Sequence, residues 1–112
     1  MAFKVIFHID EPSKWDLLLR NVQNLTKAAD PKISEIEVLA NAEAAGSYAS
    51  PNSGGKLMKE LALAGVRFAA CNNALKGMKI TREQLPRFVE VVPVGVIELI
   101  EKQNQGFAYI KP

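Results

Sequence analysis

One cysteine, Cys71, and one histidine, His8, are the whole supply of thiol and imidazole in this chain. A single thiol excludes an intramolecular disulfide, and with a single imidazole it excludes the usual zinc ligand sets. Long apolar runs are missing as well, since none approaches the ~18 residues of a transmembrane helix. Neither sign of charge dominates: 14 Lys and Arg face 12 Asp and Glu, for a net charge of +2. With no basic block and no aromatic-basic stripe, nucleic-acid binding has no footprint here. There is no Gly-x-Gly-x-x-Gly fingerprint, and one His without a nearby hydroxyl elbow makes no hydrolase triad. The opening run, residues 1–8, is too short and too soon interrupted for a signal-peptide core. The expectation is a cytoplasmic protein with no cofactor and no membrane contact.

What the chain does have is 112 residues, 48% hydrophobic and 23% charged, enough for one domain spanning residues 1–112. Short apolar runs alternate with amphipathic stretches. That pattern argues for an α/β fold, a three-layer α/β/α arrangement around a mainly parallel five-stranded sheet of flavodoxin-like kind. Residues 3–9 form the first strand. Pro12 and a Ser13–Asp16 capping pair start a helix whose Trp15, Leu18, Leu19, Val22 and Leu25 face the sheet. Ile36, Val38 and Leu39 mark a second strand over residues 35–41.

Residues 42–55, rich in Ala, Ser, Gly and Asn, read as a mobile surface loop with at most a helical turn at 42–45. A helix through Leu57, Met58 and Leu61 closes at Gly65. The third strand ends at Cys71 and passes directly into a short helix, residues 72–77. Thr81 and Gln84 cap a brief helix that Pro86 interrupts. A fourth strand covers residues 88–92, and Pro93 opens a last helix with Val96, Ile97 and Ile100 inward and Glu98 and Lys102 paired outside. Residues 107–111 are the fifth strand.

The carboxyl ends of parallel strands are where ligands gather. Those ends present His8 and Asp10, Asn41, Cys71, and the Val92-Pro93 step. Cys71 sits where a strand becomes a helix, and free N–H groups and the positive end of the helix macrodipole there favour thiolate over thiol. The backbone N–H groups of Asn72 and Asn73 are the expected donors. Plainer roles stand beside each residue: Cys71 as a small buried hydrophobe, His8 as a satisfied structural group, Asp10 as a cap. Ser53-Gly54-Gly55-Lys56 resembles a phosphate loop only loosely, lacking its first glycine and its hydroxyl residue, and reads better as a flexible helix entry.

Taken together, the opening strand Phe3-Lys4-Val5-Ile6-Phe7-His8-Ile9-Asp10, the helix segment Asn21-Val22-Gln23-Asn24-Leu25 and the strand Ile36-Glu37-Val38 resemble the DsrE/DsrF-like (YchN-like) family. Ala70-Cys71-Asn72-Asn73-Ala74-Leu75-Lys76-Gly77 looks like that family's cysteine segment. Val91-Val92-Pro93-Val94-Gly95-Val96 and the closing Ala108-Tyr109-Ile110 extend the likeness to nearly the whole chain. The resemblance implies a sulfur-relay protein in which Cys71 accepts sulfur as a persulfide and hands it to a partner protein, a sulfurtransferase activity. It also implies a homo-oligomer, a trimer or hexamer. Where the family often carries a His-Gly segment with a further glycine after the second strand, this chain has Asn41-Ala42-Glu43-Ala44-Ala45-Gly46. Two other functions remain open on the residues: a non-catalytic module binding a small ligand or a protein, and a thiol redox sensor.

Overall fold

The computed structural model describes residues 2–50 and 55–112. Five strands, β1 (Lys4–Ile9), β2 (Glu35–Ala40), β3 (Arg67–Cys71), β4 (Val89–Val92) and β5 (Ala108–Ile110), alternate with helices. The helices are α1 (Trp15–Ala28), α2 (Ala42–Gly46), α3 (Gly55–Leu63), α4 (Asn72–Gly77) and α5 (Gly95–Asn104). The strands form one sheet in the order β4-β3-β2-β1-β5. Every pairing is parallel, with Ile9 opposite Ala40, Ala40 opposite Ala70 and Cys71 opposite Val92.

This order decides how the two faces are covered. From β1 to β4 the chain steps in one direction across the sheet, and right-handed crossovers then place every connecting helix on the same face. The step from β4 to β5 runs back across the whole sheet, so α5 alone lies on the other face. The first face accordingly carries a large apolar core: Val5, Phe7 and Ile9 from β1, Val38 and Phe68 from the next strands, and Leu18 and Val22 from α1 among its members. The second holds a small cluster of Ile6, Leu39, Ala69, Leu99 and Phe107. Alternation of side chains along each strand separates the two sets.

Three expectations need correction. The helix α1 begins behind a 3₁₀ turn, Pro12–Lys14, and no side chain caps either start, so Ser13 and Asp16 are not a capping pair. The segment after β2 is anchored through residue 49. It forms α2 and a 3₁₀ turn, Ser47–Ala49, with Ala44, Ala45 and Tyr48 buried. Its small residues permit close packing, and Tyr48 wedges edge-on between Trp15 and Phe68 while its hydroxyl donates to the Ala69 carbonyl at 3.1 Å. Small side chains had looked like looseness. Ser53 and Gly54, read as part of a flexible helix entry, lie outside the described residues.

The third correction concerns α5, which is turned over. Val96, Ile97 and Ile100 are 56%, 50% and 52% exposed, while Glu98 and Lys102 are half-buried toward the sheet. The cause is a polar group already under the helix. Glu37 on β2 points to that face and is 1% exposed, and a buried carboxyl draws polar groups to itself. Leu99 remains the one fully apolar side chain of the helix that is buried.

Candidate functional site

Cys71 ends β3 and its backbone caps α4, with extended dihedrals of −72° and 119°. The side chain follows strand alternation, however, and so points to the α5 face with Ala69 and Arg67. Its sulfur makes no capping bond to the start of α4. Instead Sγ accepts the N–H of Gly95, the first residue of α5, at 3.3 Å. The expected donors Asn72 and Asn73 are therefore replaced by a residue 24 positions away. The idea of a helix N–H on the sulfur stands, and only the helix is different.

Gly95 favours this close approach because it carries no Cβ. A Cβ there would lie 3.1 Å from Cys71 Cβ, 3.2 Å from Leu39 Cδ1 and 3.4 Å from Asn41 Cβ, tighter than side chains normally pack. Without one, the backbone of α5 comes down onto the sheet and closes over the thiol, leaving Cys71 7% exposed.

Asn41 continues β2 past its last paired residue and is the neighbour of Cys71 across the sheet, since Ala40 is opposite Ala70. Its Oδ1 lies 2.9 Å from His8 Nε2, and His8 Nδ1 lies 2.6 Å from the Tyr109 hydroxyl. With the Asn41 oxygen facing the ring, Nε2 donates and Nδ1 accepts from Tyr109. One polar row thus follows the strand order β5, β1, β2, β3: exposed Tyr109, His8, Asn41, then the covered thiol. Immediately beyond it Ala42 takes φ of 48°, a left-handed conformation that glycine adopts without strain.

Sequence reasoning placed His8, Asn41 and Cys71 on one rim, and the structure brings them together. Asp10 is on the rim but is taken up by Lys111, at 3.2 Å. Asn72 and Asn73 open α4 without touching the sulfur through a capping bond. Gly95, Tyr109 and Lys111 were missed. A glycine just inside the start of a helix, after Pro93-Val94, was the signal available for the first; the edge strand offered none for the others.

Behind the row lies a charged cluster. Glu37 Oε1 is 3.2 Å from Arg67 Nη1 and 3.7 Å from Lys102 Nζ, yet neither Glu37 oxygen accepts a well-directed hydrogen bond. Burial first, then the neighbouring Glu98 carboxyl, push the Glu37 carboxyl up to about 8 against the pull of Arg67 and Lys102. Arg67 also reaches Glu90 at 2.8 Å, and that hydrogen bond holds Glu90 below the ordinary carboxylate range. Among the described residues no group of His, Cys, Asp and Glu is disposed to hold a metal ion, and no helix is long and apolar enough to cross a membrane. A cavity of about 360 Å³ lies at the opposite end of the strands, beside Thr26, Pro31, Ile36 and Val66. It is remote from Cys71.

The DsrE/DsrF-like family model matches residues 21–112. A solved protein of unknown function from Methanobacterium thermoautotrophicum is 34% identical, with a TM-score of 0.90 over 99% of this chain and 100% of its own. The YchN protein of E. coli superposes with a TM-score of 0.73 at 11% identity, covering 99% of this chain and 100% of that one, which is a likeness of fold. None of the curated proteins compared matches the chain.

Proposed function

The chain belongs to the DsrE/DsrF-like family, and from that premise we propose that it is a sulfur carrier working through a persulfide on Cys71. The observation that carries the proposal is the N–H of Gly95 directed at Sγ from the first turn of α5. A backbone donor at a helix start suits a sulfur that bears negative charge. A lone cysteine suits a carrier too, because no second thiol in the chain can divert the persulfide into a disulfide.

In the loading step the Cys71 thiolate attacks the outer sulfur of a donor persulfide. The donor S–S bond breaks, the donor leaves as a thiolate, and Cys71 carries the transferred sulfur. In the unloading step an acceptor thiolate attacks that outer sulfur and Cys71 departs as thiolate. No net oxidation occurs in either step. Asn41 Oδ1 is engaged by His8, which is itself bonded to Tyr109, and the amide NH₂ of Asn41 is the proposed second donor at the rim.

The carrier is further proposed to be a homo-oligomer, a trimer or hexamer, that exchanges sulfur with donor and acceptor proteins in the cytoplasm. Val96, Ile97 and Ile100 on α5, continued by Tyr109 and Ile110 on the edge strand, leave apolar surface that a neighbouring subunit would cover. Light scattering at micromolar concentration tests this, and a monomer mass would overturn it.

Intact-mass measurement after treatment with a small-molecule persulfide tests the carrier function itself. One added sulfur atom is expected on the wild type and none on Cys71→Ser. A folded wild type that gains no sulfur would leave the binding module in front. Oxidation of Cys71 by peroxide without sulfur loading would favour the redox sensor.

A further inference from the structure

We propose that His8 and Tyr109 are positioning residues for the sulfur site: their hydrogen bonds run in one direction, Tyr109 to His8 to Asn41, and so hold the Asn41 amide with its NH₂ group free at the rim beside Cys71. The inference rests on the reading of Cys71 as a sulfur carrier and names what keeps the second donor of that site in place.

The first observation is a cap that is not made. Asn41 is the residue before α2, with extended dihedrals of −129° and −176°. Asparagine at such a position ordinarily turns its side-chain oxygen onto the free N–H groups of the first helical turn. Here no side chain caps α2. The Asn41 oxygen lies instead 2.9 Å from Nε2 of His8, a residue 33 positions away in the chain. An asparagine serving only the local fold would cap its helix, whereas this one is given to the rim. Its backbone is held as well, the N–H donating to the Ile9 carbonyl at 3.1 Å.

The second observation is place. A Cβ on Gly95 would lie 3.1 Å from Cys71 Cβ and 3.4 Å from Asn41 Cβ, so the two side chains leave the sheet against the same helix start. Asn41 Nδ2 makes no hydrogen bond among the described residues, yet it is not buried. It is a donor open to whatever arrives at the rim.

The third is direction. With both nitrogens of a neutral ring engaged, the row can run only two ways. Started from Tyr109, the hydroxyl donates to Nδ1, Nε2–H donates to Oδ1, and the amide N–H groups remain for a sulfur bearing negative charge. Run backwards, Nε2 accepts from the amide, and a carbonyl oxygen that would repel such a sulfur is left at the rim. The amide oxygen lies toward His8, which is the first arrangement. That arrangement also survives a change of charge on His8. A second ring proton reverses only the Tyr109 bond, whose oxygen then accepts, while Nε2–H stays on Asn41. The charges flanking the row, Asp10 after β1 and Lys111 after β5, answer each other at 3.2 Å.

His8 is the only histidine, so the ring ¹⁵N shifts of the full chain report its tautomer directly. Neutral His8 should carry its proton on Nε2. The second arm is the rate at which cysteine persulfide loads Cys71, followed by intact mass against time. His8→Leu and Asn41→Leu should each slow loading by about tenfold or more. The double variant should be no slower than the slower single one, because His8 acts through Asn41. His8→Gln, which offers an N–H near the place of Nε2 and cannot titrate, should recover most of the rate, and Tyr109→Phe should lose less than His8→Leu. A neutral His8 protonated on Nδ1 overturns the proposal, as do variants that load as fast as wild type or losses that add in the double variant. His8→Gln as slow as His8→Leu overturns it too, since the imidazole would then be an acid or base. Each of those failures is read in a wild type that loads; a folded wild type that takes up no sulfur overturns the carrier reading itself.

Discussion

The two faces of one sheet are built on opposite principles. On the α1 face Phe68 is fully buried and meets Tyr48 and Phe88 edge-on. Leu18 of α1, Ala44 of α2, Met58 of α3 and Leu75 of α4 belong to the same core. On the α5 face one helix covers Glu37 and Cys71 beside the exposed Arg67, with Val96, Ile97 and Ile100 turned outward. The first face supplies stability through burial, which is non-directional and tolerant. The second holds oriented polar groups and an occluded thiol, where small displacements alter chemistry. One face supplies most of the buried core, and the other carries the site of the proposed chemistry.

The largest test of this contrast is a pair of truncations. Phe68→Ala should cost ~3–5 kcal/mol in chemical denaturation, the range for a buried aromatic. Leu99→Ala, in the smaller cluster, should fall near the lower end of ~2–5 kcal/mol. Equal losses would mean that the α5 face is a second true core.

Acid and base sharpen the contrast next. Because the folded carboxyl of Glu37 is raised from 4.5 to about 8, the folded protein binds a proton that the unfolded chain has released. The Glu37 contribution is therefore complete below the unfolded value and is lost as pH climbs to the folded one. Denaturation midpoints should decline over that window in the wild type and decline less in Glu37→Gln. A Phe68→Ala background should shift all midpoints without changing the slope. Parallel slopes for wild type and Glu37→Gln would remove Glu37 from the account.

Gly95→Ala comes third, with a Cβ set 3.1 Å from that of Cys71. Overpacking of this kind typically costs ~1–3 kcal/mol. Helix propensity alone would favour alanine by roughly 1 kcal/mol. A net loss of stability with faster alkylation of Cys71 would show that close approach, and not helix strength, selects glycine. Smallest is Ala42→Gly. Releasing a left-handed alanine at φ of 48° should offset the entropy of added freedom and change stability by less than ~1 kcal/mol, in the stabilising direction. Measurable destabilisation would mean that the methyl group of Ala42 is itself a packing contact.

Much of this fold was legible beforehand, for reasons that differ by element. The strands were readable because double-sided burial writes continuous apolar runs such as Val38-Leu39-Ala40 and Phe68-Ala69-Ala70. The helix α1 was readable from the spacing of Trp15, Leu18, Leu19 and Val22. Thr81 and Gln84 behaved as expected, with the Thr81 N–H donating to Gln84 Oε1 at 2.9 Å. Two stretches were misread for the same physical cause. In residues 42–49 small side chains signified tight packing, and in α5 the apolar stripe signified an outer surface. Composition reports what a segment carries, and only its neighbours decide which side faces in.

The site divides along the same line. The sequence by itself determined that any thiol chemistry passes through Cys71, because there is no other thiol. It also determined that His8, Asn41 and Cys71 share a rim, because strand ends in a parallel sheet lie on one side. Only the tertiary structure decided which helix meets the sulfur. That choice depends on strand order: the return from β4 to β5 carries α5 across the second face, and local sequence around Cys71 contains no trace of a crossover that begins more than twenty residues later. The charge state of Glu37 belongs to the tertiary structure for a similar reason. A glutamate on a strand is ordinary until a helix bearing Glu98 is laid over it and the water between them is gone.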